Sequence, residues 1–123
     1  MNNLETGRYT DFLVGLALYG PEAVVWTRGD GWWKSSSPNC IPILLLPNYS
    51  IIAVDALEAL ETAIRRYNLE GDLILRRRKY GWIVSIPGSK TILENTEEAK
   101  NLPLAICKCI LGLKWAIDNL SLK

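Results

Sequence analysis

The periodicities along the chain predict an α+β fold: a three-layer α/β/α sandwich, with a mainly antiparallel sheet of about five strands and three helices. Three observations carry this expectation. Apolar residues recur at helical spacing near the start, in the middle and at the end of the chain. The stretches between them are rich in β-branched and aromatic residues and are broken by turns containing Gly or Pro. Those strands come in runs joined by short turns instead of alternating with helices, which favours antiparallel pairing with helices packed on the sheet. The length, 123 residues, is the commonest size for one domain, so residues 1–123 are read as a single domain.

The first helix is placed at Arg8 to Tyr19, where Phe12, Leu13, Leu16 and Tyr19 recur on one side and Gly20-Pro21 supplies the stop. Gly15 inside it weakens the helix and marks a close approach to a neighbouring element. Ala23 to Thr27 and Trp32 to Ser35 read as the arms of a hairpin turned at Arg28-Gly29-Asp30-Gly31. A long connection then carries Pro38, Pro42 and Pro47, which regular helix and central strand both reject. Within it, Ile41, Ile43, Leu44, Leu45 and Leu46 are too apolar for a solvated loop, so they cover the core or meet a partner.

Ser50 is a natural N-cap for a second helix running to Asn68, with Arg65 and Arg66 near the negative end of its dipole. Leu73 to Leu75 open a meander and run into Arg76-Arg77-Arg78-Lys79. Trp82 to Ile86 form its second strand and, after Pro87-Gly88, Lys90 to Glu94 its third. The last helix begins near Asn101, with Pro103 in its first turn, and ends near Asn119. It is apolar over most of its circumference, which implies heavy burial or contact with another chain.

Composition narrows the chemistry. Lys and Arg number 14 against 13 Asp and Glu, a formal charge of +1, so no global field steers the chain to nucleic acid or to an anionic membrane. The apolar runs are far shorter than the ~20 residues of a membrane helix. No basic-then-apolar leader opens the chain, so a cytoplasmic location is expected. Cys40, Cys107 and Cys109 are odd in number and give no disulfide framework. Cys107 and Cys109 point about 200° apart on a helix, so they cannot share a metal and read as packing residues. Histidine is absent, which removes the commonest general base and imidazole metal ligand together. No enzyme activity, metal or cofactor is therefore expected.

Two stretches stand out as binding surfaces. Arg76, Arg77, Arg78 and Lys79 form the densest charge cluster. Strand alternation puts Arg76 and Arg78 on one face and Arg77 on the other, so two or three cations converge on an anion. Tyr80 and Trp82 follow directly, and an aromatic ring beside guanidinium groups suits a nucleotide-like ligand. The competing reading is a strand edge kept soluble by charge, with Trp82 facing inward. The second stretch is Trp32-Trp33: neighbours in a strand face opposite sides, so either both sheet faces are covered or one Trp is exposed as an anchor for a protein partner. Asp55, Glu58 and Glu61 read as the solvated side of the second helix. Neither Gly29-Asp30-Gly31 nor Pro87-Gly88-Ser89-Lys90 has the frame of a phosphate loop.

The stretch Glu5-Thr6-Gly7-Arg8-Tyr9-Thr10-Asp11-Phe12-Leu13-Val14, then Trp26 and Gly31-Trp32-Trp33, resembles the opening of small phage and prophage proteins carrying the phage ABA sandwich domain. Pro47-Asn48-Tyr49-Ser50 before the second helix, Gly81-Trp82-Ile83-Val84, and Pro103-Leu104-Ala105-Ile106-Cys107 in the last helix are similar to later motifs of that family, in the same order. The resemblance implies a helix, sheet, helix fold and a phage origin, and it implies no activity. Together with the residues, it leads to the expectation of a phage accessory protein that binds stoichiometrically. It would capture an unknown host protein or a nucleotide-like small molecule, as an anti-defence inhibitor or sponge. The alternative is a self-assembling module, a homo-oligomer held by the last helix and Ile41 to Leu46.

Overall fold

A computed structural model describes residues 4–35, 40–69, 74–85 and 99–120. Its elements are α1 (Arg8–Tyr19), β1 (Val24–Thr27), β2 (Asp30–Trp33), β3 (Leu44–Leu45), α2 (Ala53–Arg66), β4 (Ile74–Arg78), β5 (Gly81–Ser85) and α3 (Leu102–Leu120). The class is α+β, with three helices and antiparallel pairing between the strands.

The β1–β2 turn decides the register. Arg28 and Gly29 both have positive φ, 54° and 70°, the backbone of a two-residue turn whose twist matches that of the strands it joins. The turn is thus shorter than the four residues expected, and Asp30 and Gly31 belong to β2. Val24 then faces Trp33 and Trp26 faces Gly31 across the pair, which puts these four on one face and Val25 and Trp32 on the other.

α1 packs on the first of those faces, and the glycine lets it in. A methyl group at Gly31 would lie 3.0 Å from both Phe12 Cβ and Leu46 Cδ1; one at Gly15 would also lie 3.0 Å from Leu46 Cδ1. Leu46 therefore wedges between two glycines, and the close approach expected at Gly15 is real. Trp26 meets Tyr9 and Phe12 with ring centroids 5.2 and 5.6 Å away, and Trp33 meets Tyr19 edge-to-face at 5.0 Å.

The proline-rich connection contains a strand that the sequence reading left out. Leu44 and Leu45 pair with Trp33 and Trp32, and the Leu46 N–H donates to the Gly31 carbonyl at 3.1 Å. Pro42 and Pro47 flank this short ladder without interrupting it. The five described strands thus form two sheets, β1-β2-β3 and β4-β5, in place of the single sheet expected. Beyond β5, Trp82 bridges Ala99 through bonds of 2.7 and 3.0 Å. The expected strand Lys90 to Glu94 lies outside the described residues.

Ser50 does not cap α2, which starts at Ala53 with no side-chain cap. The Ser50 hydroxyl instead accepts the Gly7 N–H at 2.9 Å and donates to the Gly7 carbonyl at 3.2 Å. At the far end of α2, Asn68 takes a left-handed backbone (φ 51°), and the Leu69 N–H closes the helix on the Ile64 carbonyl at 3.0 Å. The Tyr67 hydroxyl donates to the Ala17 carbonyl at 2.9 Å and ties that end to α1.

α3 begins as expected: Asn101 Oδ1 accepts the Leu104 N–H at 2.8 Å, with Pro103 in the first turn. Ala105, Ile106, Cys107, Cys109 and Ile110 are fully buried where the helix packs against α1, α2 and β5. Its broad apolar surface is largely buried inside the chain, and among its described side chains Trp115 is a large one left out, at 48% exposed. No helix among the described residues is long and apolar enough to cross a membrane.

Packing at the α1–β2 contact leaves no room for a methyl group against Phe12 Cβ, which is fixed to its backbone. Gly31→Ala is expected to lower the unfolding free energy by about 1–3 kcal/mol, the usual cost of overpacking, read from urea denaturation against the unsubstituted chain.

Candidate functional site

The cation cluster lies within a strand, since β4 extends through Arg78 and only Lys79 and Tyr80 make the turn. Pairing of Arg76 with Ile83, Arg77 with Trp82 and Arg78 with Gly81 fixes which side chains share a face. Leu75, Arg77, Trp82 and Val84 are on one face; Arg76, Arg78 and Ile83 are on the other. Val84 is fully buried and Trp82 packs against the core, so the face with Arg76 and Arg78 is the outer one. Those two side chains leave the backbone roughly 6.5 Å apart, within reach of one phosphate group.

Arg76, Arg77, Arg78 and Lys79 are all exposed, and none forms an ion pair among the described residues. The Arg77 guanidinium lies 5.9 Å from the Trp82 ring on the inner face. Trp82 is therefore not positioned beside Arg76 and Arg78 as a platform for a base. Tyr80 is 73% exposed, with the Lys79 ammonium 5.2 Å from its ring, and is the aromatic that accompanies the outward cations.

Neither Trp32 nor Trp33 stands fully exposed. Trp33 is half-buried under Tyr19, on the α1 side. Trp32 is on the other face, where its indole N–H donates to the Thr27 carbonyl at 3.0 Å and the Arg28 guanidinium covers its ring at 4.1 Å. Arg28 also donates to the Pro42 carbonyl, which joins the hairpin turn to the segment before β3. The exposed apolar surface next to Trp32 comes from Ile43, 82% exposed, and from its pairing partner Leu45.

The densest polar network is one that the sequence reading did not single out. Arg8 Nε donates to Asp30 Oδ1 at 2.6 Å, and Nη2 donates to the carbonyls of Gly31 (3.2 Å) and Leu46 (2.9 Å). Nη1 is shared among Asp11 Oδ2 (3.1 Å), Asn48 Oδ1 (3.1 Å) and the Pro47 carbonyl (3.3 Å). Asp11 is wholly buried, and its other oxygen accepts the Ser50 N–H at 2.7 Å. The Arg8 guanidinium beside Asp30 holds that carboxyl below its ordinary 3.8. Asp55 closes the group by accepting the Asn48 N–H at 3.0 Å. One signal could have revealed it: Asp11 occupies the buried stripe of α1 with Val14 and Leu18, a place where a carboxylate requires a partner. Its saturation with internal bonds makes it a structural clamp that joins Gly7-Arg8 to the Pro47 to Ser50 stretch.

The thiols divide cleanly. Burial pushes the Cys107 thiol up, helped by the nearby Asp11 carboxylate, and lifts that of Cys109 to about 12, so both remain protonated at neutral pH; Cys40 is exposed.

Removing the Asp11 carboxylate unpairs the buried Ser50 N–H and takes one acceptor from Arg8, which keeps its bond to Asp30. Asp11→Ala is expected to cost about 1–3 kcal/mol in urea unfolding, while Asp11→Asn recovers part of the loss through the Ser50 bond. Because the Asp30 carboxyl is lowered on folding, its ionisation contributes stability that is complete above about pH 4 and is lost as pH falls through the lowered value. Asp30→Asn should therefore lower the melting temperature at neutral pH and flatten its acid decline, as read by thermal melts across about pH 2–7. A thiol reagent added to the native chain should label Cys40 at once, and Cys107 and Cys109 only after denaturant is added. No family model, curated protein or solved structure matches the chain.

Proposed function

We propose that the protein acts by stoichiometric binding and that the outer face of the β4–β5 hairpin captures a phosphate-bearing, nucleotide-like group. The observation that carries this reading is the pairing register. It puts Arg76 and Arg78 side by side on an outward face, with Lys79 and Tyr80 at the adjoining turn and no described carboxylate paired with any of these cations. Two guanidinium forks present up to four hydrogen bonds to phosphate oxygens, and the exposed Tyr80 ring offers a stacking surface next to them. The two described thiols of α3 are buried and protonated, so neither is poised as a nucleophile. In the phage setting that the resemblance implies, the captured group belongs to a host component, a defence protein or a nucleotide-like signal, and the chain works in the cytoplasm as its inhibitor or sponge.

A second reading, self-association, is favoured by Ile41, Ile43, Leu44 and Leu45, at least half exposed in and before an edge strand. The last helix offers less to it, since most of its apolar side chains lie in the core and Trp115 remains at the surface. Static light scattering reads this directly, and a strict monomer at high micromolar concentration removes it.

The binding reading predicts that Arg76→Ala combined with Arg78→Ala weakens binding of ATP or pyrophosphate by about tenfold or more, with the melting temperature unchanged. Isothermal titration at low ionic strength checks it. Equal binding by the double variant, or no binding by the unsubstituted chain, overturns the assignment.

A further inference from the structure

A site of the opposite chemistry lies in the N-terminal half of the chain. Between the C-terminal end of α1, strand β2, the turn before α2 and the outer side of α2 is a recess of about 350 Å³, within the size range of small-molecule sites. Tyr19, Trp33 and Tyr49 supply aromatic walls, while Glu58, Glu61 and Arg65 stand along α2 at its rim. Two carboxylates against one guanidinium leave the rim with a net charge of −1, and neither glutamate forms an ion pair among the described residues.

The aromatic walls point to a cation as the occupant. Tyr49 is only 3% exposed, and it lines the recess with its ring fixed in the core. Burial, reinforced by Tyr19 and by the Asp55 and Asp11 carboxylates, raises its pKa well above the ordinary tyrosine range and keeps the ring neutral. The Tyr19 ring already holds a cation on one side, the Arg66 guanidinium 5.1 Å from its centroid, while its edge-to-face contact with Trp33 turns the two rings about the recess at 70°. Electron-rich ring faces with carboxylates at the opening attract organic ammonium groups, whose charge is too diffuse to be strongly hydrated.

We propose that this recess binds a small alkylammonium cation, with the ammonium group among the Tyr19, Trp33 and Tyr49 rings and its charge balanced by Glu58 and Glu61. The site shares no residue with the β4–β5 cation face and calls for a ligand of opposite sign, so either proposal survives the failure of the other.

The test uses tetramethylammonium chloride and spermidine as probes, followed by the indole signal of Trp33 and the amide signals of 58–65 in NMR titrations. Sodium chloride matches the ionic strength, and tert-butanol serves as the neutral shape analogue. The expected result is saturable shifts with a dissociation constant on the order of 1 mM for at least one cation. tert-Butanol should give none, and Glu58→Gln combined with Glu61→Gln should weaken binding by about tenfold with the fold intact. Both glutamates are exposed, so the double variant retains the core. No saturable shift from either cation, equal shifts from tert-butanol, or unchanged affinity in the double variant each overturns the proposal.

Discussion

The Arg8 guanidinium is the point on which the N-terminal half of the molecule turns. One planar group with five N–H donors faces carboxylates from α1 and from the start of β2, and carbonyls from β2 and the segment after β3. These pieces are far apart in sequence, with separations of 22 to 40 residues for all but the Asp11 contact. A lysine at this position would present one compact charge and could not satisfy acceptors lying in so many directions. The clamp fixes where the β1–β2 hairpin and the 46–50 segment sit relative to α1, and so where α2 begins.

Packing completes what the clamp begins. Leu46 enters the narrow space between Gly15 and Gly31 immediately before the Pro47–Ser50 turn. The polar bonds to the Leu46 and Pro47 carbonyls hold the backbone while the leucine side chain fills the gap, so a misplaced segment would lose hydrogen bonds and apolar contact at once. Both candidate sites depend on frames of this kind. The recess uses Trp33 from the clamped hairpin and Tyr49 from the clamped 46–50 segment, and the cation face uses a hairpin anchored through Val84 and Trp82 against α3.

Much of this architecture is legible in the residues, and the failures have identifiable physical causes. The helices show through their periodicity, and α3 even shows its cap, because Asn101 and Pro103 act on their own immediate neighbours. Ser50 misleads for the same reason: a local rule names it a cap, whereas its partner Gly7 is 43 residues away. β3 escapes notice because two leucines between prolines have no alternation to read, and their strand character comes entirely from pairing with Trp32 and Trp33. The split of Arg76 and Arg78 from Arg77 follows from alternation alone. The separation of Trp82 from the outward pair needs the cross-strand register, which a single strand does not contain. The recess escapes because its walls come from α1, β2, the turn and α2, and its two glutamates look from sequence like ordinary solvated helix residues.

The short ladder between β2 and β3 also sets where this chain can vary. Trp33 and Leu44 are paired across the sheet, so the stretch joining them begins and ends at fixed neighbouring points. Cys40 and Ile41 sit on that stretch, both exposed, which makes it the natural place to attach a label, an epitope or a fused domain.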